Sequence, residues 1–130
     1  MLDSKKYTIS IDHDLKIIKY KHSGILKPDD IGHVWANEFL KMKEFTELKY
    51  NLLSDYSEAK FDAKTSIIPE LIEFMKAIKE IVKGKKQSII IEDHFSTAAS
   101  LIFENEINAK VGFEVKIFRT QKAALKWVSH

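Results

Sequence analysis

The sequence lacks several residue types that particular functions require. It contains no cysteine, which excludes a disulfide framework, a thiolate metal site and a cysteine nucleophile. Arg119 is its only arginine, so the planar side chain favoured for contacting bases and phosphates is nearly absent, and we expect no nucleic-acid partner. The four glycines form no phosphate-binding loop, and no GxSxG, HExxH or EF-hand pattern occurs. These absences predict a protein without a cofactor or a metal.

Long apolar runs are also missing. No segment approaches the roughly 18 apolar residues of a membrane span, and the first ten residues, MLDSKKYTIS, lack the apolar run of a signal peptide. We therefore expect a cytoplasmic protein with no integral membrane segment.

The residues that are present are those of a globular protein. Hydrophobic residues make up 45% of the 130-residue chain and charged residues 31%, and the formal net charge is +2. The lysines are spread along the whole sequence rather than collected in a block. This composition predicts one domain with one hydrophobic core over residues 1–130.

The first third of the sequence predicts a hairpin followed by a helix. In YTISID, residues 7–12, apolar and polar residues alternate with the period of a half-buried strand. LKIIKYKH, residues 15–22, follows after the polar DHD, so the two segments are predicted to pair as an antiparallel hairpin. SGILKPDD breaks the pattern, and apolar residues at three- and four-residue steps in DIGHVWANEFLKM predict a helix over 30–42.

The remaining sequence alternates between strand and helix patterns. Buried strands are predicted over residues 48–54 (LKYNLLS) and 87–93 (QSIIIED), and a last strand over 113–118 (FEVKIF). Helices are predicted over 65–84, ending at KGKK with Gly84 as C-cap, over 95–109, and over 120–128 with Thr120 as N-cap. The order is ββαβαβαβα, an α/β fold with packed helices and a mixed, mostly parallel sheet that carries an N-terminal antiparallel hairpin.

This order and several short motifs resemble the STAS-like (anti-sigma-factor-antagonist-like) domains, which are often grouped with CRAL-TRIO lipid-binding domains. The motifs are the hairpin ending in SGIL, the strand NLLSD ending at Asp55, AKFD before the second helix, and the tail VKIFRTQKAALKWV. The resemblance covers nearly the whole chain and implies a single STAS-like domain over residues 1–130.

The resemblance also implies a modification site. In the anti-sigma-factor antagonists an Asp-Ser-Ser-Gly motif begins the helix after this strand, and a serine there is phosphorylated. This chain has FDAKTSI, in which Asp62 takes the place of the aspartate and Ala63 and Lys64 those of the serines. Thr65 and Ser66 are then the nearest hydroxyls for phosphorylation. A helix N-terminus favours a bound phosphate, but threonine and serine are also standard N-caps.

Acidic and imidazole side chains follow two of the predicted strands. Asp55 ends the third strand and is followed by a predicted loop, YSEAKFDA, that contains Asp62, while Asp93 and His94 end the fourth strand. Ligands of open parallel sheets bind at the carboxyl ends of the strands. If the two strands are neighbours, these residues form a rim for a ligand or partner, or a hydrolytic or metal-dependent site. The alternative is that they cap helices and face solvent.

Large side chains on the predicted helices allow two interpretations. Each lies on an apolar stripe, where core packing is the usual role: Trp35, Phe39, Phe74, Met75, Phe103 and Trp127. The CRAL-TRIO resemblance would instead imply a pocket for a small apolar ligand between the sheet and the helices.

Three functional hypotheses follow. The first is a non-enzymatic STAS-like regulatory module that binds a protein partner or itself, which the sequence favours because no catalytic motif is present. The second is a carrier of a small molecule or lipid, and the third is a hydrolase or metal-dependent enzyme at the Asp55 and His94 rim. An apolar cavity would favour the second, and convergence of the rim side chains in one cleft would favour the third.

Overall fold

A five-stranded sheet forms the centre of the protein. The computed structural model describes residues 6–61, 67–92, 101 and 104–130. The strands lie in the order in which they occur in the chain, β1 to β5, with β1 and β2 antiparallel and the later pairs parallel. Their bounds are β1 Lys6–Asp12, β2 Ile17–Leu26, β3 Asn51–Phe61, β4 Lys86–Ile90 and β5 Glu114–Phe118. The predicted mixed sheet with its antiparallel hairpin is confirmed.

Helices connect the parallel strands in the predicted order ββαβαβαβα. Their bounds are α1 Pro28–Asn37, a 3-10 turn Phe39–Lys41, α2 Lys43–Thr46, α3 Ile67–Ala77, α4 Lys79–Val82, α5 with its continuous described part over 104–110, and α6 Gln121–Val128. None of the helices in the described part of the chain has the length and apolar character needed to cross a bilayer.

The two faces of the sheet are covered unequally. Because the parallel strands advance in one direction, crossovers of the usual hand place their helices on a single face. That helix-covered face carries the larger core cluster, in which side chains from α1 to α5 pack on the strands, including the fully buried Trp35, Phe39 and Phe113. On the opposite face, α6 buries Ala124 and Val128 in a smaller cluster with strand residues. We refer to this second side as the α6 face.

The first predicted helix is shorter than expected. We predicted one helix over 30–42, but α1 ends at Asn37, and a 3-10 turn and the short α2 follow. The Asn37 side chain donates to the carbonyl of His33 at 2.9 Å, a side-chain bond to the preceding turn of the kind that competes with helix continuation. The chain then turns so that Phe39 and Phe45 are both fully buried.

Two of the predicted strands were too short. β2 does not break at SGIL but runs through it to Leu26, with Gly24 at a φ of 98° that other residues rarely adopt. β3 does not end at Asp55 but continues through the segment predicted as a loop, to Phe61. The two extensions pair with each other, from Ser23 opposite Glu58 to Leu26 opposite Phe61.

Two of the predicted helix caps agree with the structure. Thr120 is the N-cap of α6, and its hydroxyl accepts from the Ala123 N–H at 3.2 Å. Gly84 follows α4 at a φ of 82°, as expected for a glycine that ends a helix. The predicted caps Thr65 and Ser66 lie outside the described residues.

Candidate functional site

The parallel strands β2, β3 and β4 have their carboxyl ends on the same side of the molecule, and there β3 extends well beyond β4. β4 ends at Ile90, which pairs with Asp55, whereas β3 continues for six more residues to Phe61. An open cleft of about 380 Å³ lies between this extension of β3 and Glu92. It is lined by Ser57, Glu58, Ala59, Lys60 and Glu92. We name Asp55, Ser57, Glu58, Lys60 and Glu92 the carboxyl-end rim.

Asp55 organises the backbone of this rim rather than ending its strand. Its Oδ1 accepts from the Ser57 N–H at 2.8 Å. At this point the pairing with β2 shifts by one residue, from Lys21 opposite Asp55 to Ser23 opposite Glu58. Such a bulge bends a strand and changes the direction of the following side chains. The prediction that Asp55 ends strand three is therefore wrong, because the bulge allows the ladder to continue.

The charged side chains of the rim are largely in contact with water. Glu58 accepts from the Lys21 ammonium at 2.9 Å, with 63% of the Glu58 side chain and 46% of the Lys21 side chain exposed. The hydrogen bond and the negative charge of Glu58 raise the pKa of Lys21. Lys60 and Glu92 are exposed, and the Arg119 guanidinium donates to the Glu92 carbonyl at 3.2 Å. The rim is thus an open, hydrated surface with charges of both signs.

The other residues predicted for this rim are not described by the structure. Asp62, Asp93 and His94 lie outside the described ranges, as do Thr65 and Ser66. The sequence analysis placed Asp55 near Asp93 and His94 on the condition that the third and fourth strands are neighbours. That condition holds, because β3 and β4 pair in parallel. No group of three or more potential metal-binding side chains occurs within the described ranges. The hydrolase or metal site at Asp55 and His94 and the phosphorylation of Thr65 or Ser66 remain predictions.

A buried cluster of polar aromatic side chains lies on the helix-covered face, and the sequence analysis did not identify it. Tyr20, His22 and Tyr56 are each 5% exposed or less. The Tyr20 hydroxyl is hydrogen-bonded to Nδ1 of His22, and the Tyr20 and Tyr56 rings meet edge to face with their centroids 5.7 Å apart. Burial raises the pKa of both tyrosines. The alternation of Ile18, Tyr20 and His22 along β2 was the available signal, since it places all three on one face.

The Tyr7 side chain extends this cluster toward the surface. Its ring centroid lies 5.4 Å from that of His22, and its hydroxyl donates to Glu38 Oε2 at 2.8 Å. Tyr7 comes from β1 and Glu38 follows α1, so the contact joins the sheet to the first helix. We refer to Tyr20, His22 and Tyr56 as the tyrosine–histidine cluster.

Lys85 is another buried polar residue that the sequence analysis did not single out. Only 3% of the residue is exposed, and its ammonium donates to the carbonyl of Ile81 and lies 4.6 Å from the Phe45 ring centroid. Burial lowers the pKa of Lys85, and the nearby Lys49 lowers it further. The KGKK segment therefore ends a helix as predicted, but its third residue is held in the core.

The aromatic side chains between sheet and helices pack against one another. Trp35 contacts Phe39, Phe45 and Phe113 edge to face, with ring centroids 5.0, 5.4 and 6.1 Å apart. Trp35, Phe39 and Met75 are at most 2% exposed, and the half-buried Phe74 and Trp127 pack against the two core clusters. The core role predicted for these five residues is confirmed, whereas Phe103 lies outside the described residues.

Comparison with known proteins identifies the fold. No protein-family model matches the sequence, and no curated protein matches it. One solved structure with a similar fold is that of an uncharacterised protein of the DUF3478 family from Shewanella loihica PV-4, which has a SpoIIAA-like fold. The two chains share 15% identity over 98% of each, with a TM-score of 0.63. This chain therefore has a SpoIIAA-like, that is STAS-like, fold, as the resemblance in its sequence predicted.

Proposed function

We propose that this protein is a non-enzymatic regulatory module that binds a protein partner through the carboxyl-end rim. The observation that supports the proposal most directly is the extension of β3 beyond β4. It presents a bulged strand with exposed charges of both signs beside an open cleft, at the end of a parallel sheet where binding sites of such folds usually lie.

The character of the rim favours a protein over a lipid. Among the described residues, the cleft is lined by Ser57, Glu58, Lys60 and Glu92, which are polar or charged, and by Ala59, which belongs to the hydrophobic core. A lipid carrier needs an enclosed apolar cavity, and protein interfaces are bordered by polar, hydrated surface of the kind seen here. In the described part of the chain, the space between sheet and helices, where the carrier hypothesis would place a lipid, is occupied by packed aromatic rings.

A charge-reversal experiment tests the proposal. The variant Glu58→Lys/Lys60→Glu reverses two exposed rim charges without changing the net charge. The matched control is Glu106→Lys/Lys110→Glu, which reverses an exposed ion pair of 2.8 Å on α5, away from the rim. Each tagged protein is used to capture partners from its own cells, and the captured proteins are quantified by mass spectrometry.

We expect a partner that wild type and the control capture equally and that the rim variant loses by at least an order of magnitude. Equal capture by all three proteins would contradict the proposal. So would the absence of any protein enriched over an untagged sample, and a noncovalent small molecule detected by native mass spectrometry would then favour the carrier hypothesis.

A further inference from the structure

The two edge strands of the sheet differ in how their outward-facing main-chain groups are bonded. On β5, the Val115 N–H donates to Asn108 Oδ1 at 2.8 Å, and the Val115 carbonyl accepts from Asn108 Nδ2 at 3.2 Å. The Ile117 N–H donates to Glu104 Oε1 at 2.9 Å. Side chains of α5 thus occupy the groups through which another strand would pair, a common protection of sheet edges.

The edge at β1 has no such protection from the described residues. β1 has seven residues and pairs with β2 along its whole length. None of the hydrogen bonds formed by the described residues joins a side chain to its outer edge. It contains no proline or glycine, and Thr8 and Ser10 are exposed on the α6 face. A long, regular and unprotected edge strand is a template for pairing with another chain.

The residues of β1 are complementary to those of a second β1 that runs antiparallel to it. With Ile9 opposite its own copy, the register sets apolar residues against apolar ones and hydroxyls against hydroxyls. The pairs are Tyr7 with Ile11, Thr8 with Ser10, and Lys6 with Asp12, so residues of opposite formal charge end the ladder. Each pair occurs twice about the two-fold axis, as an isologous dimer requires, and opposed pairs of these kinds stabilise antiparallel strands.

Pairing β5 antiparallel with its own copy is unfavourable, in contrast to β1. An antiparallel pair of β5 strands centred on Lys116 places that lysine against its own copy, and like charges directly opposed destabilise strand pairing. Sequence and hydrogen bonding therefore agree at both edges. β5 is closed by side chains and carries a repulsive centre, whereas β1 is self-complementary and is left open by the residues that the structure describes.

We propose that the protein forms a two-fold dimer in which β1 pairs with β1 of a second copy, joining the two sheets into one. The contact is short and consists mainly of one strand ladder, so we expect a dimer that dissociates on dilution. This surface is separate from the carboxyl-end rim, and the dimer stands or fails independently of the proposed function.

Light scattering after size-exclusion chromatography, from micromolar to millimolar protein, tests the dimer. Thr8→Lys/Ser10→Lys and Thr8→Glu/Ser10→Glu each place like charges directly across the axis at exposed positions, so both variants are expected to be monomers. An equal mixture of the two is expected to restore the dimer mass. Asn105→Lys/Ala109→Lys, which adds the same charge on exposed positions of α5, is expected to remain dimeric. A monomeric wild type, or a dimer that persists in both charged variants, would overturn the proposal.

A cross-linking experiment tests the same dimer without introducing charged residues into β1. Because the chain has no cysteine, Ile9→Cys introduces one thiol at the proposed axis, and Lys116→Cys introduces one at the centre of the other edge. Mild oxidation is expected to convert the first variant to a disulfide-linked dimer much faster than the second. Equal rates for the two variants would contradict pairing through β1.

Discussion

The two edge strands of the sheet, β1 and β5, differ in whether side chains cover their outer main-chain groups. At the β5 end, Asn108 and Glu104 close the outer edge of the strand, and apolar residues such as Phe113 and Ile107 fill the core beneath it. At the β1 end the outer edge is open within the described chain, and the tyrosine–histidine cluster lies under the neighbouring strands.

The connections between strands explain this difference. A parallel strand requires a long crossover, and the crossover before β5 brings α5 close enough for its side chains to reach the free edge. The antiparallel β1 is joined to β2 by a short turn, which brings no helix over the outer edge of the hairpin. One end is therefore closed by topology, whereas the described residues leave the outer edge of the other end uncovered.

The largest expected effect concerns the buried tyrosines of the β1 end. Tyr20 and Tyr56 have raised pKa values in the folded protein, so they keep their protons above pH 10, where the unfolded chain releases them. The unfolded state is then favoured, and each tyrosine lowers the free energy of unfolding by about 1.4 kcal/mol for every pH unit above 10. Urea unfolding between pH 9 and 11 is expected to show this steep loss.

Phenylalanine variants separate the contribution of each residue. Tyr56→Phe and Tyr20→Phe each remove one titrating hydroxyl while keeping the ring, and each is expected to reduce the slope of stability against pH by roughly half. The slope is the decisive quantity, because removing a buried hydroxyl also changes stability by an amount that does not depend on pH. A slope unchanged in both variants would show that these hydroxyls ionise as readily in the folded protein as in the unfolded one.

The next effect concerns the closed edge at β5. Asn108→Ala removes two hydrogen bonds to the buried Val115 and is expected to lower the free energy of unfolding by about 2 kcal/mol in urea denaturation. Asn108→Asp keeps the acceptor for the Val115 N–H but loses the donor to the Val115 carbonyl, so its loss of stability is expected to be intermediate. Asn105→Ala, an exposed position on the same helix, is the control, and an equal loss there would mean that helix propensity is responsible.

The sequence predicted the arrangement of elements better than it predicted the site. Period-two and period-3.6 patterns are sufficient for the order ββαβαβαβα and for the core roles of Trp35 and Phe39. They fail at β3, because the bulge after Asp55 changes the spacing of the buried residues to Tyr56, Ala59 and Phe61, and the strand looks like a loop. The meeting of Tyr20 with Tyr56 depends on the register of two distant strands, which no local pattern specifies.

At the β5 end we expect a smaller effect, in which the free energy of unfolding rises with pH, whereas the buried tyrosines make it fall. Lys85 precedes β4, and its carbonyl accepts from the Glu114 N–H that begins β5. Its folded pKa lies below its unfolded value of 10.5, so its charge opposes folding at neutral pH, and this cost disappears as the pH rises through the folded pKa toward 10.5. Thermal unfolding of Lys85→Met beside wild type checks this, because methionine keeps the apolar stem without the charge.

We expect wild type to gain stability relative to Lys85→Met between pH 7 and 10. The difference between the two proteins isolates this residue, since the tyrosines titrate equally in both. A difference that stays constant with pH would show that Lys85 has the same pKa folded and unfolded.

The smallest effect on stability is expected at the carboxyl-end rim, which lies between the edge strands β1 and β5. The ion pair of Glu58 and Lys21 is short, at 2.9 Å, but both side chains are more than a third exposed, and water screens such pairs. A double-mutant cycle with Glu58→Gln and Lys21→Met is therefore expected to give a coupling close to the error of urea denaturation. If so, charge reversal at Glu58 changes binding without unfolding the protein, and lost capture can be read as a lost contact. A large coupling would instead mean that the pair holds the β3 extension in place, and the rim charges would then be explained by stability rather than by a partner.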